Sequence, residues 1–243
     1  MAISITNLSG GNTPADGSDP RTFPAIWNAT ATDLEGVATD LDTLEATVGA
    51  HDLNSLSGVG ITTPVEGDLL TYNGTSWVNG VPAGSILQVV STTKTDTFST
   101  SLASGAFSAN VTGLTATITP LATSSKILVR MVVGGARSGQ FPVVVGVMLR
   151  GSTAIGVGDA AGDRTPVSGN TGAAGTATAR STASLILETL DSPATTSATT
   201  YNFQVFNATS GTNTFYINRT ASDVDDATYT RGVSTITLME VAG

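Results

Sequence analysis

Apolar residues recur at Leu34, Val37, Leu41, Leu44 and Val48, in steps of three, four, three and four. That spacing lays them along one stripe of a helix and matches the a and d positions of a heptad repeat. Extended backwards the stripe takes in Trp27 and Thr30, and forwards His51, while Asp33, Glu35, Asp40, Asp42 and Glu45 fall off it. The pattern predicts a coiled-coil helix over residues 26–51, about 38 Å long at ~1.5 Å per residue. Thr30 and Gly36 are weak points in it. A single amphipathic helix packed on its own domain is the alternative. No nearby segment offers an apolar partner face, which favours a seam between chains. Leucine on the seam does not by itself choose between two strands and three.

Upstream, Met1–Pro24 alternates briefly at Ile3 and Ile5 and then becomes Gly10-Gly11-Asn12-Thr13-Pro14-Ala15-Asp16-Gly17-Ser18-Asp19-Pro20. Such turn formers bury no core. Residues 1–25 therefore read as a tail, or as an arm that orders on a partner surface.

Beyond Gly49 the helical period gives way to short alternating runs, a neck and linker over residues 52–83. Asn73-Gly74 lies between Leu69–Tyr72 and Ser76–Val78, and Asn-Gly predicts a tight type I′ hairpin. Tyr72 and Trp77 flank that turn, where a cross-strand aromatic contact adds about 0.2–1 kcal/mol. A lone hairpin is marginal in water, so this one needs neighbours. Gly80-Val81-Pro82-Ala83-Gly84 reads as a linker.

From residue 84 a larger region begins, with strands predicted at Ile86–Val90, Phe107–Val111, Ala116–Thr119, Lys126–Val133, Val143–Leu149, Ala154–Val157, Ser184–Leu190, Tyr201–Phe206, Thr214–Ile217 and Ser234–Val241. The expected fold is mainly β: a C-terminal antiparallel β-sandwich, jelly-roll-like, over residues 84–243. Lys126–Val133 and Val143–Leu149 are apolar on both faces. A sandwich covers one face of each sheet, so the second face asks for a further cover, for which a threefold contact between heads is the natural candidate and the domain's own loops the alternative.

Composition narrows the function. Only 12% of residues are charged and 5% aromatic, and the net charge is −9, which repels nucleic acid and anionic membrane surfaces. With no cysteine, there is no disulfide framework, thiolate nucleophile or cysteine-ligated metal. Neither a signal peptide nor an apolar run long enough to span a bilayer is visible, so no membrane insertion is expected.

Candidate chemistry is sparse. His51, the sole histidine, sits at the end of the seam, too far from the head to serve a Ser-His-Asp arrangement there, although three copies converging on an axis could bind a metal or anion. Loop carboxylates at Asp159 and Asp163, and at Asp223, Asp225 and Asp226, offer hard oxygen ligands without completing a calcium loop. No catalytic residue and no cofactor is assigned. The long Gly- and Ala-rich stretch Asp159–Ala179 is a candidate recognition loop, with Arg164, Asn170 and the adjoining Arg180 as polar contacts. A second is Asn218–Arg231, where Arg219, Asp223, Asp225, Tyr229 and Arg231 concentrate charge beside an aromatic.

Leu53-Asn54-Ser55-Leu56-Ser57-Gly58-Val59, then Pro64-Val65-Glu66-Gly67-Asp68-Leu69-Leu70, then Tyr72-Asn73-Gly74-Thr75-Ser76-Trp77-Val78-Asn79-Gly80 resembles a module repeated in phage tail-fibre and other virion fibre proteins. Gly84-Ser85-Ile86-Leu87-Gln88-Val89-Val90-Ser91-Thr92-Thr93-Lys94 is similar to the start of the C-terminal domains that follow such necks in marine and freshwater phage fibres. The resemblance implies a homotrimer and a virion location. In that setting residues 1–25 would anchor to a tail or capsid protein, residues 26–51 would form a trimeric coiled coil, and the head would attach to a host saccharide or protein. A structural head fibre or decoration protein without a receptor, and a polysaccharide-degrading tailspike, fit the same motif.

Overall fold

The computed structural model describes residues 34–46, 53–64, 68–138, 143–172 and 179–243. Trp27, Val48, His51 and the 1–25 arm lie outside them. Residues 34–46 form the helix α1. Its stripe residues Leu34, Val37, Leu41 and Leu44 are each about half exposed. The hydroxyls of Thr39 and Thr43 bond back to the carbonyls of Glu35 and Thr39, at 2.9 and 2.8 Å. Those bonds use donors that would otherwise compete with the helix.

The described residues divide into two units, one ending at Gly80 and one beginning at Val81. In the first, a 3₁₀ turn at Leu53–Ser55 leads into a three-stranded sheet of β1 (Val59–Gly60), β2 (Leu69–Tyr72) and β3 (Trp77–Gly80). β3 is central, antiparallel to β2 and parallel to β1. A short strand ahead of the hairpin is expected from the sequence; its parallel pairing with β3 is not. It is held where Asn79 accepts from the Thr62 N–H at 2.8 Å and donates to Thr62 O at 3.0 Å and Asp68 Oδ2 at 2.7 Å.

The hairpin loop differs from the expected two-residue type I′ turn. Tyr72 pairs with Trp77, so four residues close it, and among them only Gly74 has positive φ, at 99°. The physical reason is the Asn73 side chain. Its Oδ1 accepts from the Thr75 and Ser76 N–H groups at 3.0 and 2.9 Å, an Asx-type bond that holds the wider loop. Tyr72 and Trp77 do meet, with ring centroids 5.5 Å apart.

The second unit packs two antiparallel sheets face to face, consistent with a β-sandwich. One contains β6 (Thr115–Ile118), β8 (Val145–Arg150), β9 (Thr153–Ile155), β10 (Gly169–Asn170) and β12 (Thr199–Val205), in the order β10-β8-β12-β6 with β9 also on β8. The other contains β4 (Ile86–Lys94), β5 (Phe98–Leu102), β7 (Lys126–Arg137), β11 (Ala183–Asp191), β13 (Asn213–Ile217) and β14 (Ser234–Val241). β7 organises it. β14 pairs with its first half and β13 with its last three residues, while β11 runs along its other edge. β4 and β5 extend the sheet beyond β14 and β13 respectively.

The core lies between the sheets, where Ile127, Val129, Met131, Leu187, Ile236 and Leu238 meet Ile118, Met148, Tyr201 and Phe203. Each such large side chain is worth about 1.5–3 kcal/mol when fully buried. Glycine permits the closest approaches. A Cβ at Gly146 would lie 2.3 Å from the Phe203 ring, and one at Gly169 would lie 2.6 Å from Leu187 Cδ2.

Three further expectations need correction. Phe107–Val111 is not a strand; Phe107 makes a single bridge to Phe206, with the rings 4.6 Å apart. β5 was missed because Phe98-Ser99-Thr100-Ser101-Leu102 carries little apolar signal, although its alternation is complete. The face of β8 directed away from the core needs no second copy: Val145, Val147 and Leu149 are buried within one chain. Beside β8 at the edge of that sheet lies β10, in a stretch read from sequence only as a loop.

Candidate recognition surface

The β13–β14 connection begins at Asn218, which ends β13 in the left-handed region at φ 62° and is buried. Asparagine tolerates that conformation better than most residues. Its Nδ2 donates to the carbonyls of Lys94 and Asp96 at 2.8 and 2.9 Å, and its Oδ1 accepts from the Ser234 hydroxyl at 2.6 Å. The side chain thus bonds the gap between β4 and β5 and ties it to the start of β14. The loop that follows springs from a rigid base.

On that base Asp223 collects two arginines. Arg219 Nη1 donates to its Oδ2 at 2.8 Å and Arg231 Nη2 to its Oδ1 at 2.6 Å. These guanidiniums, Arg219 first, hold the carboxyl below the usual aspartate range. Arg219 also lies over the Tyr216 ring, 4.3 Å from its centroid. Asp226 folds inward, its Oδ1 accepting from the Thr228 hydroxyl at 2.6 Å and N–H at 2.8 Å, which lowers its carboxyl too.

A second segment joins this loop. The Ser222 N–H donates to Ala179 O at 3.2 Å, and Arg180 lies 5.1 Å from the Tyr229 ring centroid. Arg180, Arg219, Tyr229 and Arg231 therefore share one surface. Arg164 and Asn170 are placed otherwise. Arg164 bonds to Ala161 O at 3.2 Å within its own turn. Asn170 lines a cleft of about 360 Å³ with Ser104, Thr165, Val145 and Phe206. The side chains that line the cleft are uncharged.

As a metal site the acidic loop is preoccupied, because both Asp223 oxygens already hold arginines. Among the described residues no group of three or more His, Asp or Glu side chains converges for a metal ion.

Two ionisable clusters escaped the sequence reading because their members are far apart along the chain. Arg150 of β8 grips Asp191 of β11 at 2.8 and 2.9 Å, and the Tyr201 hydroxyl of β12 donates to the same carboxylate at 2.8 Å. Burial first, and then the Asp191 acceptor, push the Tyr201 hydroxyl upward, so it stays protonated. This is a clasp between the sheets. Glu240 of β14 is fully buried, accepting from Gln88 Nε2 at 2.5 Å and the Leu121 N–H at 2.7 Å.

No protein-family model matches the chain, and no curated protein matches it. Among solved structures, the chain is similar to that of the infectious bursal disease virus Gt strain, with a TM-score of 0.33 and 11% identity over 72% of this chain and 42% of the other. The Gx strain structure gives a TM-score of 0.31 and 14% identity over 72% and 41%. The chain spans about two-fifths of the length of either. Both likenesses are too loose to assign a fold or a role.

Proposed function

We propose that this protein is a homotrimeric phage fibre or spike, a non-enzymatic virion component that attaches the particle to a host surface. The observation that carries the reading is the heptad stripe of α1: Leu34, Val37, Leu41 and Leu44 stand about half exposed, a seam awaiting other helices. The neck supports it. Leu69, Tyr72 and Trp77 are exposed on a sheet with strands of two to four residues, and Leu53 and Leu56 are exposed at the turn before it, a unit too small to be stable without cover.

In this reading residues 1–25 mount the fibre on a tail or capsid protein, the helix and neck gather three chains, and the head presents the Arg180–Tyr229 surface to a host saccharide or protein. Three weak sites on one particle bind by avidity.

Light scattering on the full chain should return about 73 kDa, three times the 24.4 kDa of one chain. A uniform particle of 24.4 kDa would overturn the assembly. Saturable binding of the full chain to host cells tests the attachment.

A second reading, a structural fibre or decoration protein without a receptor, is favoured by one feature: Asp223 already engages both Arg219 and Arg231, so each guanidinium has a partner within the chain and the triad keeps one net positive charge. Absence of saturable binding by a correctly assembled trimer would select it. A polysaccharide-cleaving spike is the weakest reading; release of new reducing ends from host polysaccharide would support it.

A further inference from the structure

The two sheets of the head differ in what they turn away from the core. On the β6–β12 side the outward positions are Thr115, Thr117, Thr200 and Gln204, polar as a solvated face requires, with the Thr117 and Thr200 hydroxyls bonded at 2.8 Å. On the other sheet the outward positions form rows across four strands, read directly from the pairing register. Val89, Met239, Leu128 and Leu190 make one row. Thr93, Thr235, Val132 and Ile186 make another. Between them run Ser91, Thr237, Arg130 and Glu188. Beyond the first row, past a bulge, Ile86 pairs with Val241.

Val89 is 57% exposed, Leu190 50%, Ile186 62% and Ile86 60%. The first row is apolar throughout and the second in its β7 and β11 members, Val132 and Ile186, beside Thr93 and Thr235; a contiguous exposed apolar patch marks an interaction surface.

We propose that this face, the outer surface of β4, β14, β7 and β11, is where the head domains of neighbouring copies of this chain pack on one another. The inference rests on the trimer reading and names the head surface that takes part in it. Charge favours a second copy as the occupant. The chain has 19 acidic against 10 basic residues, yet this face carries Lys126 and Arg130 with Glu188, and Arg130 Nε lies 3.9 Å from Glu188 Oε2. Copies meeting here bring little of the chain's negative charge together. A second copy also brings further exposed apolar surface of its own, the stripe of α1 and the neck residues Leu69, Tyr72 and Trp77. The Arg130–Glu188 row between the apolar rows supplies exchangeable ion-pair partners that set register.

The chain has no cysteine, so single introduced thiols report cleanly. In the full chain, Ile186→Cys and Leu190→Cys probe the two apolar rows. Thr117→Cys, on the polar outer face of the opposite sheet, is the exposed control. Maleimide labelling rates are read together with the mass from light scattering.

The expected result is a particle of about 73 kDa, three times 24.4 kDa, in which both test thiols react at least about tenfold more slowly than the control. A particle of that mass with all three thiols reacting alike leaves the trimer standing and overturns this interface. A 24.4 kDa particle overturns the trimer reading and the interface with it. Two test positions guard against one substitution disrupting the contact it reports.

Discussion

The Arg180 guanidinium lies 5.1 Å from the Tyr229 ring centroid, and that contact joins two loops that stand apart in the sequence. Beside it the Ser222 N–H reaches Ala179 O, so the pair rests on a backbone bond between the same two segments. The surface they make is composite: neither loop alone presents it.

Arg180→Ala and Tyr229→Ala should each reduce host-cell binding while leaving the fold intact. A cation–π contact at an exposed site is worth about 0.5–1 kcal/mol, so the thermal midpoint should move by only a few degrees. Binding isotherms and melting curves on the same preparations check this. A lost fold, or unchanged binding by both variants, would remove the surface from the recognition role.

Asn218→Ala should be among the most destabilising single changes in the head. It strands the Lys94 and Asp96 carbonyls and the Ser234 hydroxyl, and places a Cβ-bearing residue at φ 62° without the asparagine amide to favour it. A cost of about 3 kcal/mol or more is expected in denaturant unfolding. Asn218→Gly accepts the backbone conformation freely but loses the same three bonds. If the bonds dominate, as we expect, its cost stays within about 1 kcal/mol of alanine's.

Gly146→Ala should overpack the core, because the new methyl would sit 2.3 Å from Phe203 Cε2 and Cζ. A loss of about 1–3 kcal/mol is expected. Phe203→Leu removes the ring edge, so the double variant should lose less than the two single losses added together. Equilibrium unfolding of all four chains forms the cycle that measures the coupling.

Glu240 makes the head acid-sensitive. Burial alone would raise its carboxyl, but the polar groups around it, among them the Gln88 amide and the Leu121 N–H that donate to it, outweigh burial and hold it below its usual value of 4.5. A depressed folded-state value means the stabilisation is fully present above the unfolded-state value. It is lost as pH falls through the folded-state value. Glu240→Gln should therefore be clearly less stable than the parent at pH 7, by about 1–3 kcal/mol, with the gap closing as the pH falls below the usual glutamate value and through the lowered one. Melting curves across that range test it; a gap that does not change with pH would assign the loss to packing instead.

Periodicity made the β character, the helix stripe and most head strands legible, because a half-buried strand has to alternate and a seam has to repeat. It placed β14 at Ser234–Val241 and found the main runs of β7, β8, β11 and β12 to within a few residues, β7 excepted at its C-terminal end. β5 was hidden because polar Thr100 takes the inward position between Phe98 and Leu102, and β10 because two residues carry no period.

The neck motif shows where that limit falls. Asn73 and Gly74 announce a reversal of the chain, but whether two residues or four close it depends on the bonds the Asn73 side chain finds with Thr75 and Ser76. Likewise an apolar residue on an outward strand position reads the same whether the chain covers it or not. The β8 residues Val145, Val147 and Leu149 are roofed by their own chain, whereas Val89, Ile186 and Leu190 are not. Local pattern could say that both strands were apolar on two faces. Only the tertiary packing decided which of these residues are buried and which stay exposed, since burial belongs to the packed molecule and not to the order of its residues.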